Sequence, residues 1–193
     1  PLGIAVGNIL EVKEAIDTLQ GQGPESFLTH CLNVAEQMLV LGGAAENGEV
    51  ARQRAEAALA NGSAWNRFQD LVKAQVGDVT YLQDPKKFPN ASLIESVPSP
   101  QTGYISQIHA RIVGETHVDL GAGRTKKGDP IDHTVGIQIL REVGDFVEEG
   151  QDLFVLHAAS RTDFDQASER LLNAHQWSQD PVERLPLIYA IIH

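Results

Sequence analysis

Residues 120–158 read LGAGRTKKGDPIDHTVGIQILREVGDFVEEGQDLFVLHA, and the way this stretch is punctuated decides the fold. Gly121 and Gly123 let the backbone turn where a side chain would clash. A polar, basic loop follows, with Arg124, Thr125, Lys126, Lys127, Gly128 and Asp129. Pro130 ends it by fixing its own φ and pushing Asp129 toward extended geometry. Two β-rich runs come next, at 135–140 and 153–156. Their connector, 143–150, carries Gly144 and Gly150 close to its ends, as turns do. The stretch predicts a glycine loop feeding a small antiparallel β unit.

Working outward, residues 84–90 (DPKKFPN) break the pattern with two prolines and two lysines and mark a boundary. Beyond it, 93–97 and 103–108 read as short strands separated by Pro98 and Pro100. Ile112, Val113, Thr116 and Leu120 favour a short helix over 110–120. A further helix is predicted over 163–175, started by Thr162 or Asp163, with Phe164, Ala167, Leu171 and Leu172 inward. The apolar run 187–192 reads as a buried closing strand. Upstream of the boundary the periodicity is helical throughout. Asn8 suits an N-cap with Glu11 three residues on, and Ile9, Val12, Ala15, Ile16 and Leu19 follow until Gly21. Pro24 suits a first turn, and Phe27, Leu28, Cys31, Leu32, Ala35, Met38 and Leu39 keep helical spacing up to Gly42. Helices over 49–60 and 64–75 complete the layer, the second with Trp65, Phe68, Leu71 and Val72 on one face. The chain is therefore α+β: a helical segment 1–84, a linker 85–92 and a β-rich domain 93–193.

At 193 residues, 42% hydrophobic and 21% charged, the composition is that of an ordinary globular protein. A formal charge of −11 argues against a nucleic-acid-binding surface, which would be basic. No apolar run approaches the ~20 residues that span a bilayer, and no stretch has the layout of a secretory signal. The single cysteine, Cys31, cannot form an internal disulfide, which suits a reducing compartment such as the cytoplasm. It shares its helix face with Leu28 and Leu32 and reads as core rather than as a nucleophile. His30, His109, His117, His133, His157, His175 and His193 are scattered, without HExxH or HxH, so no metal centre is predicted from them. The 121–127 loop admits two readings: an anion cradle of glycine amides with Arg124, Lys126 and Lys127, or a solvated turn. It lacks the spacing of a Walker loop or a dinucleotide fingerprint. Asp163, Asp165 and Glu169 read as helix-start and solvent-face charges.

The quoted stretch also resembles the C-terminal domain of the pyrimidine nucleoside phosphorylases, the family that includes thymidine phosphorylase. Family members share an LGAGR…KKGDPID…VGI run followed by VGD.V..G..L and HA, matched here by Gly144-Asp145, Gly150, Leu153 and His157-Ala158. The N-terminal PLGIAVGNILEVKEA, residues 1–15, is similar to a PLG.AVGNALEV.EA segment in the middle of those enzymes. Leu187-Ile188-Tyr189 is similar to their C-terminal end. Since the chain opens on Pro-Leu-Gly, a loop entering a helix, the resemblance implies the C-terminal part of a longer bacterial-type enzyme.

The resemblance implies a helical remnant of a central α/β domain, followed by a C-terminal domain related to the barrel-sandwich or hammerhead type. It implies a parent glycosyltransferase of nucleoside salvage, converting thymidine or uridine plus phosphate to free base and pentose 1-phosphate. Phosphorolysis needs phosphate held beside the anomeric carbon and donors for charge developing on the leaving base. The family's residues for both tasks lie upstream of the PLG segment, so no catalytic or substrate-binding residue is expected in this chain. The isolated piece is expected to be inactive, with the upstream half as its partner and the parent a cytoplasmic homodimer. No organic cofactor is implied. A potassium ion is implied, held in part by the carbonyls of Leu2 and Ala5 and the carboxylate of Glu14. The alternative is that Glu14 is a solvated helix residue and the carbonyls bind water. The 121–127 loop could also close over the active site of the whole enzyme.

A reading from another class treats 102–158 as a carrier module, since VGD.V..GQ.L also occurs in biotinyl and lipoyl domains. Those need an exposed lysine in a tight hairpin. The corresponding connections here offer His133, Thr134, Ser160 and Arg161, so the similarity is one of fold. A structural module without catalysis is the other form of this alternative.

Overall fold

A computed structural model describes residues 2–124 and 126–192; Pro1 of the N-terminal motif, Thr125 of the basic loop and His193 lie outside the described residues. The chain divides into two compact units. One comprises Gly3–Glu11 with Pro89–Pro186, the other Val12–Phe88 with Leu2 and the tail from Leu187. The changeover after Phe88 falls within the proline- and lysine-bearing segment. Two ends differ from a division at 84 and 93: residues 3–11 join the β-rich unit, and the tail groups with the helices.

The helical unit takes in α1 (Asn8–Leu19) from Val12 onward, then α2 (Glu25–Leu41), α3 (Gly48–Ala60), α4 (Ser63–Ala74) and the short α5 (Thr80–Gln83). Asn47 caps α3, its side chain accepting from the Val50 amide at 3.0 Å, which satisfies one orphan donor of the first turn. Ile16, Leu32, Ala51 and Leu82 are buried. Met38 and Leu71 are not inward: they are 68% and 52% exposed, alongside Val34 and Leu41. For Val34, Met38 and Leu41 the reason is that α2 carries apolar residues on more than one side, whereas its neighbour α3 covers only part of its surface.

Among the described residues the β-rich unit holds seven strands: β1 (Ala5–Val6), β2 (Leu93–Pro98), β3 (Gly103–Ile108), β4 (Gly136–Ile139), β5 (Phe146–Val147), β6 (Asp152–Ala158) and β7 (His175–Ser178). Two helices accompany them, α6 (Ala110–His117) and α7 (Arg161–Ala174). One sheet runs β1-β4-β6-β2 and the other β5-β3-β7, every pair antiparallel. The fold is thus α+β. β6 lies inside its sheet with Leu153, Phe154, Leu156 and Ala158 fully buried, a near-continuous apolar run because both faces are covered. Ile105, Val135, Ile137, Val147 and Leu171 complete the core, each large apolar side chain adding roughly 1.5–3 kcal/mol over exposure.

Three expectations are corrected. Residues 187–192 form no strand, and their large side chains are exposed, Ile192 at 95%. An apolar residue at nearly every position would need cover on both faces, and Pro186 withholds an amide just before the run. The third strand of the second sheet is β7 instead, whose first residue, His175, had been assigned to the preceding helix. Finally, α7 begins one or two residues earlier than predicted, because Ser160 is the cap: its Oγ accepts from the Asp163 amide at 3.2 Å.

Candidate functional site

The two glycine-bearing motifs that lie far apart in sequence meet in the β-rich unit. β1 pairs with β4 in the register Ala5↔Gln138 and Val6↔Ile137, and the Ile139 amide donates to the Ile4 carbonyl at 2.8 Å. Glycine is out of place in a Val/Ile-rich strand unless another backbone comes close. At Gly136 one does: a Cβ there would stand 2.7 Å from the Val6 carbonyl oxygen and 2.8 Å from Leu10 Cδ1. At Gly7, whose φ of +150° already favours glycine, a Cβ would stand 3.0 Å from Gly136 Cα. The contact therefore requires glycine on both sides. Sequence reasoning marked each motif and missed that they touch; the signal was Gly136 inside the β run.

The start of α1 is consequently shifted. Asn8 is the first helical residue, and Gly7 occupies the cap, its carbonyl accepting from the Glu11 amide at 2.8 Å. The Glu11 carboxylate accepts from the Gly7 amide at 3.0 Å, a capping-box relation moved by one residue. Asn8, freed from capping, donates to the Ala122 carbonyl at 3.1 Å, and the Ile9 amide donates to the His133 carbonyl at 3.3 Å. The N-terminal motif is thereby tied to both ends of the 121–133 loop.

That loop is closed largely on itself. α6 ends in a wider π-type turn, Val118–Ala122, broken by Gly121 at φ +100°. The Asp132 amide donates to the Gly121 carbonyl at 2.9 Å, and the Asp132 carboxylate accepts from the Thr134 amide and hydroxyl at 2.8 and 2.6 Å. Asp129 accepts from the Lys126 amide at 2.8 Å, and Arg124 Nε donates to the Asp129 carbonyl at 3.3 Å. A carboxylate from within the chain already takes an amide that an anion cradle would have offered. The geometry favours the turn reading.

The predicted ion ligands fall in different places. Ala5, 5% exposed, is in β1 of the β-rich unit. Leu2 is 64% exposed and Glu14, on α1, only 9%; both belong to the helical unit. Glu14 is therefore not a solvent-facing residue. Two carbonyls and a carboxylate are an all-oxygen donor set, which suits a hard cation. Cys31 is half-buried; burial above all, with the negative charge of Glu14 adding, pushes its thiol up and disfavours the thiolate. Among the described residues no group of three or more His, Cys, Asp or Glu is arranged to hold a metal.

A cleft of about 140 Å³ lies between α6 and α7, lined by Thr116, Asp119, Leu120, Asp163, Gln166 and Arg170. Arg170 is paired with Asp119 and, at 2.7 Å, with Glu115. Arg111 above all, with Arg170 adding, holds the Glu115 carboxyl below the usual range. The cation is matched within the protein, and the third carboxylate of the lining, Asp163, accepts from the Ser160 hydroxyl at 2.6 Å. At the C-terminal end of α6, burial pushes the His117 imidazole down, opposed by Glu11. Among the described residues no helix is long and apolar enough to cross a membrane.

Comparison with known proteins places these features. Residues 104–178 match the family model described as the pyrimidine nucleoside phosphorylase C-terminal domain. The chain is 41% identical over 189 residues to the pyrimidine-nucleoside phosphorylase of Geobacillus stearothermophilus, an alignment covering 98% of this chain and 43% of that protein. It is 45% identical over 158 residues to that of Bacillus subtilis, covering 82% and 36%. It is 39% identical over 171 residues to that of Staphylococcus aureus, covering 89% and 39%. The chain thus spans less than half the length of the relatives it matches.

Proposed function

Since this chain belongs to the pyrimidine nucleoside phosphorylase family as a C-terminal part of such an enzyme, we propose that it serves a glycosyltransferase that phosphorolyses pyrimidine nucleosides. The parent reaction converts thymidine or uridine plus phosphate to free base and pentose 1-phosphate, in nucleoside salvage. The observation that carries this reading is identity of 39–45% to three enzymes of that name, extending through both units of the chain. The phosphate- and base-holding groups are supplied by the upstream half, and this chain supplies none that touches substrate. Its helical unit is the remnant of the central domain, and its β-rich unit is of the barrel-sandwich or hammerhead type. The parent works as a cytoplasmic homodimer.

The role assigned to this chain is positional. The Gly7–Gly136 contact and the Asn8 and Ile9 hydrogen bonds fix the start of α1 against the 121–133 loop. α1 in turn carries Glu14, which with the carbonyls of Leu2 and Ala5 would hold a potassium ion. Such an ion would supply positive charge and rigidity, with its remaining oxygen ligands coming from upstream.

A chimera tests both parts. The corresponding C-terminal portion of the Geobacillus stearothermophilus enzyme is replaced by this chain, and thymidine and uridine phosphorolysis is measured. The expected result is turnover that potassium stimulates, with the stimulation lost in Glu14→Gln. A folded chimera without turnover would refute the proposed function. Turnover with equal potassium stimulation in Glu14→Gln would refute the ion site alone.

A further inference from the structure

His175 stands at the corner where α7 ends and β7 begins, and it is only 4% exposed. Its Nδ1 lies 2.7 Å from the Leu171 carbonyl oxygen, which can only accept, so Nδ1 carries the proton and Nε2 presents a lone pair. Nε2 is buried and has no hydrogen-bond partner among the described residues. The ring stacks on the fully buried Phe154 of β6 at 5.6 Å between centroids and 25° between planes, with Trp177 at 6.1 Å. Around it the main chain is tied down: His175 pairs with Ile108 of β3, and the His109 amide donates to the Ala174 carbonyl at 2.8 Å. The socket fits a neutral ring. A second proton would create a buried N–H with nothing to accept it.

No nearby charge compensates. The charged or titratable groups on the packing elements are Arg161, Asp163, Asp165, Glu169 and Arg170 of α7, Asp152 and His157 of β6, Tyr104 of β3 and His109 at the β3–α6 junction; of these, Arg161, Asp163 and Asp165 sit in the first turns of α7, at the end away from His175. Arg170 is engaged with Asp119 and Glu115, and His157 with Gln138 at 3.4 Å. Burial is what pushes the His175 imidazole down, opposed only by the Leu171 carbonyl.

We propose that His175 is an acid-released latch: a proton on Nε2 is accommodated only when the ring leaves its socket, and this frees β7 and the segment after it from β3. That segment is a defined strap. Gln179 Nε2 donates to the Thr102 carbonyl at 3.3 Å, and Arg184 pairs with Asp145 at 2.5 Å beside the Gly144 turn. The Arg184 side chain is 71% exposed, so this pair holds the strap only weakly, and its seating depends on the corner. If only the open form binds the proton, with an ordinary histidine value of 6.5, the opening constant scales as 1 + 10^(6.5−pH). Between about pH 7.5 and 5.5 that is roughly a tenfold increase.

Amide hydrogen exchange of the 193-residue chain, corrected for intrinsic rates, reads this directly. The expected result is opening of Gln176 and Trp177 that rises about tenfold between about pH 7.5 and 5.5, with α3 unchanged. His175→Asn, which keeps a donor for Leu171 but does not titrate, is expected to abolish the rise. Should that variant not fold, nitrogen-15 NMR of the wild-type ring gives the same answer. The closed state is expected to hold the Nδ1–H tautomer throughout that range. A His175 ring that titrates near 6.5 while β7 stays protected, or β7 opening that does not change with pH, overturns the proposal.

Discussion

Gly136 shows how much a single position can decide. Its missing Cβ is the space through which the Val6 carbonyl and Leu10 reach the sheet. We expect Gly136→Ala to destabilise the β-rich unit by about 1–3 kcal/mol, as overpacking of a tight contact does, read as a lower urea midpoint at unchanged slope. Gly128→Ala is the control: Gly128 has φ +97° but nothing within 4 Å of its Cβ position, so only backbone strain of roughly 1–2 kcal/mol is at stake. Equal midpoints for wild type and Gly136→Ala would show that the close approach is not real. In the sequence, a glycine amid Val135, Ile137 and Ile139 is the signal of a close backbone approach, and reading 135–140 simply as a β-rich run passes over it. Its partner Gly7 was not legible, because nothing local in a chain encodes a contact between segments so far apart. The same contact explains why Asn8 is not the cap: the helix begins where β1 ends, and its first side chain is drawn to Ala122.

At the level of elements, α7 joins the two sheets. Ser160 caps it, and Phe164, Ala167 and Leu171 are buried beneath it. Ser160→Ala should lower stability by about 1 kcal/mol, checked by thermal denaturation followed by circular dichroism. No change would place the helix start at Thr162 or Asp163, where periodicity alone puts it. Periodicity locates an apolar face well but not the terminus, since the cap side chain lies outside the apolar repeat. The other end of α7 was misread for a related reason. His175 continues the helical spacing, yet Ala174 is the last helical residue, because pairing of His175 with Ile108 of β3 outweighs one more helical turn. The sign of the resulting pH effect is fixed. A histidine whose folded-state value lies below its ordinary 6.5 adds stability that is complete above that pH and is lost progressively as pH falls below it. His117, depressed by burial as well, acts in the same direction.

Across the whole molecule, the alternation of helical and β periodicities was enough to give α+β. The composition of the tail was misleading, since Leu187, Ile188, Tyr189, Ile191 and Ile192 are apolar enough for a core yet exposed. Apolar content states that a segment can be buried, not that a surface exists to bury it. Chemistry was not legible from local motifs, and family likeness through residues 104–178 and beyond is what supports the enzyme class proposed above. The central claim is that this chain positions an active site whose reacting groups lie elsewhere in the enzyme. The measurement that tests it most directly is thymidine and uridine phosphorolysis by the purified chain, its intact mass verified and host phosphorylase genes deleted. The account predicts no formation of free base above the protein-free control. Sustained, phosphate-dependent release of thymine or uracil would contradict it and place catalytic groups within these 193 residues.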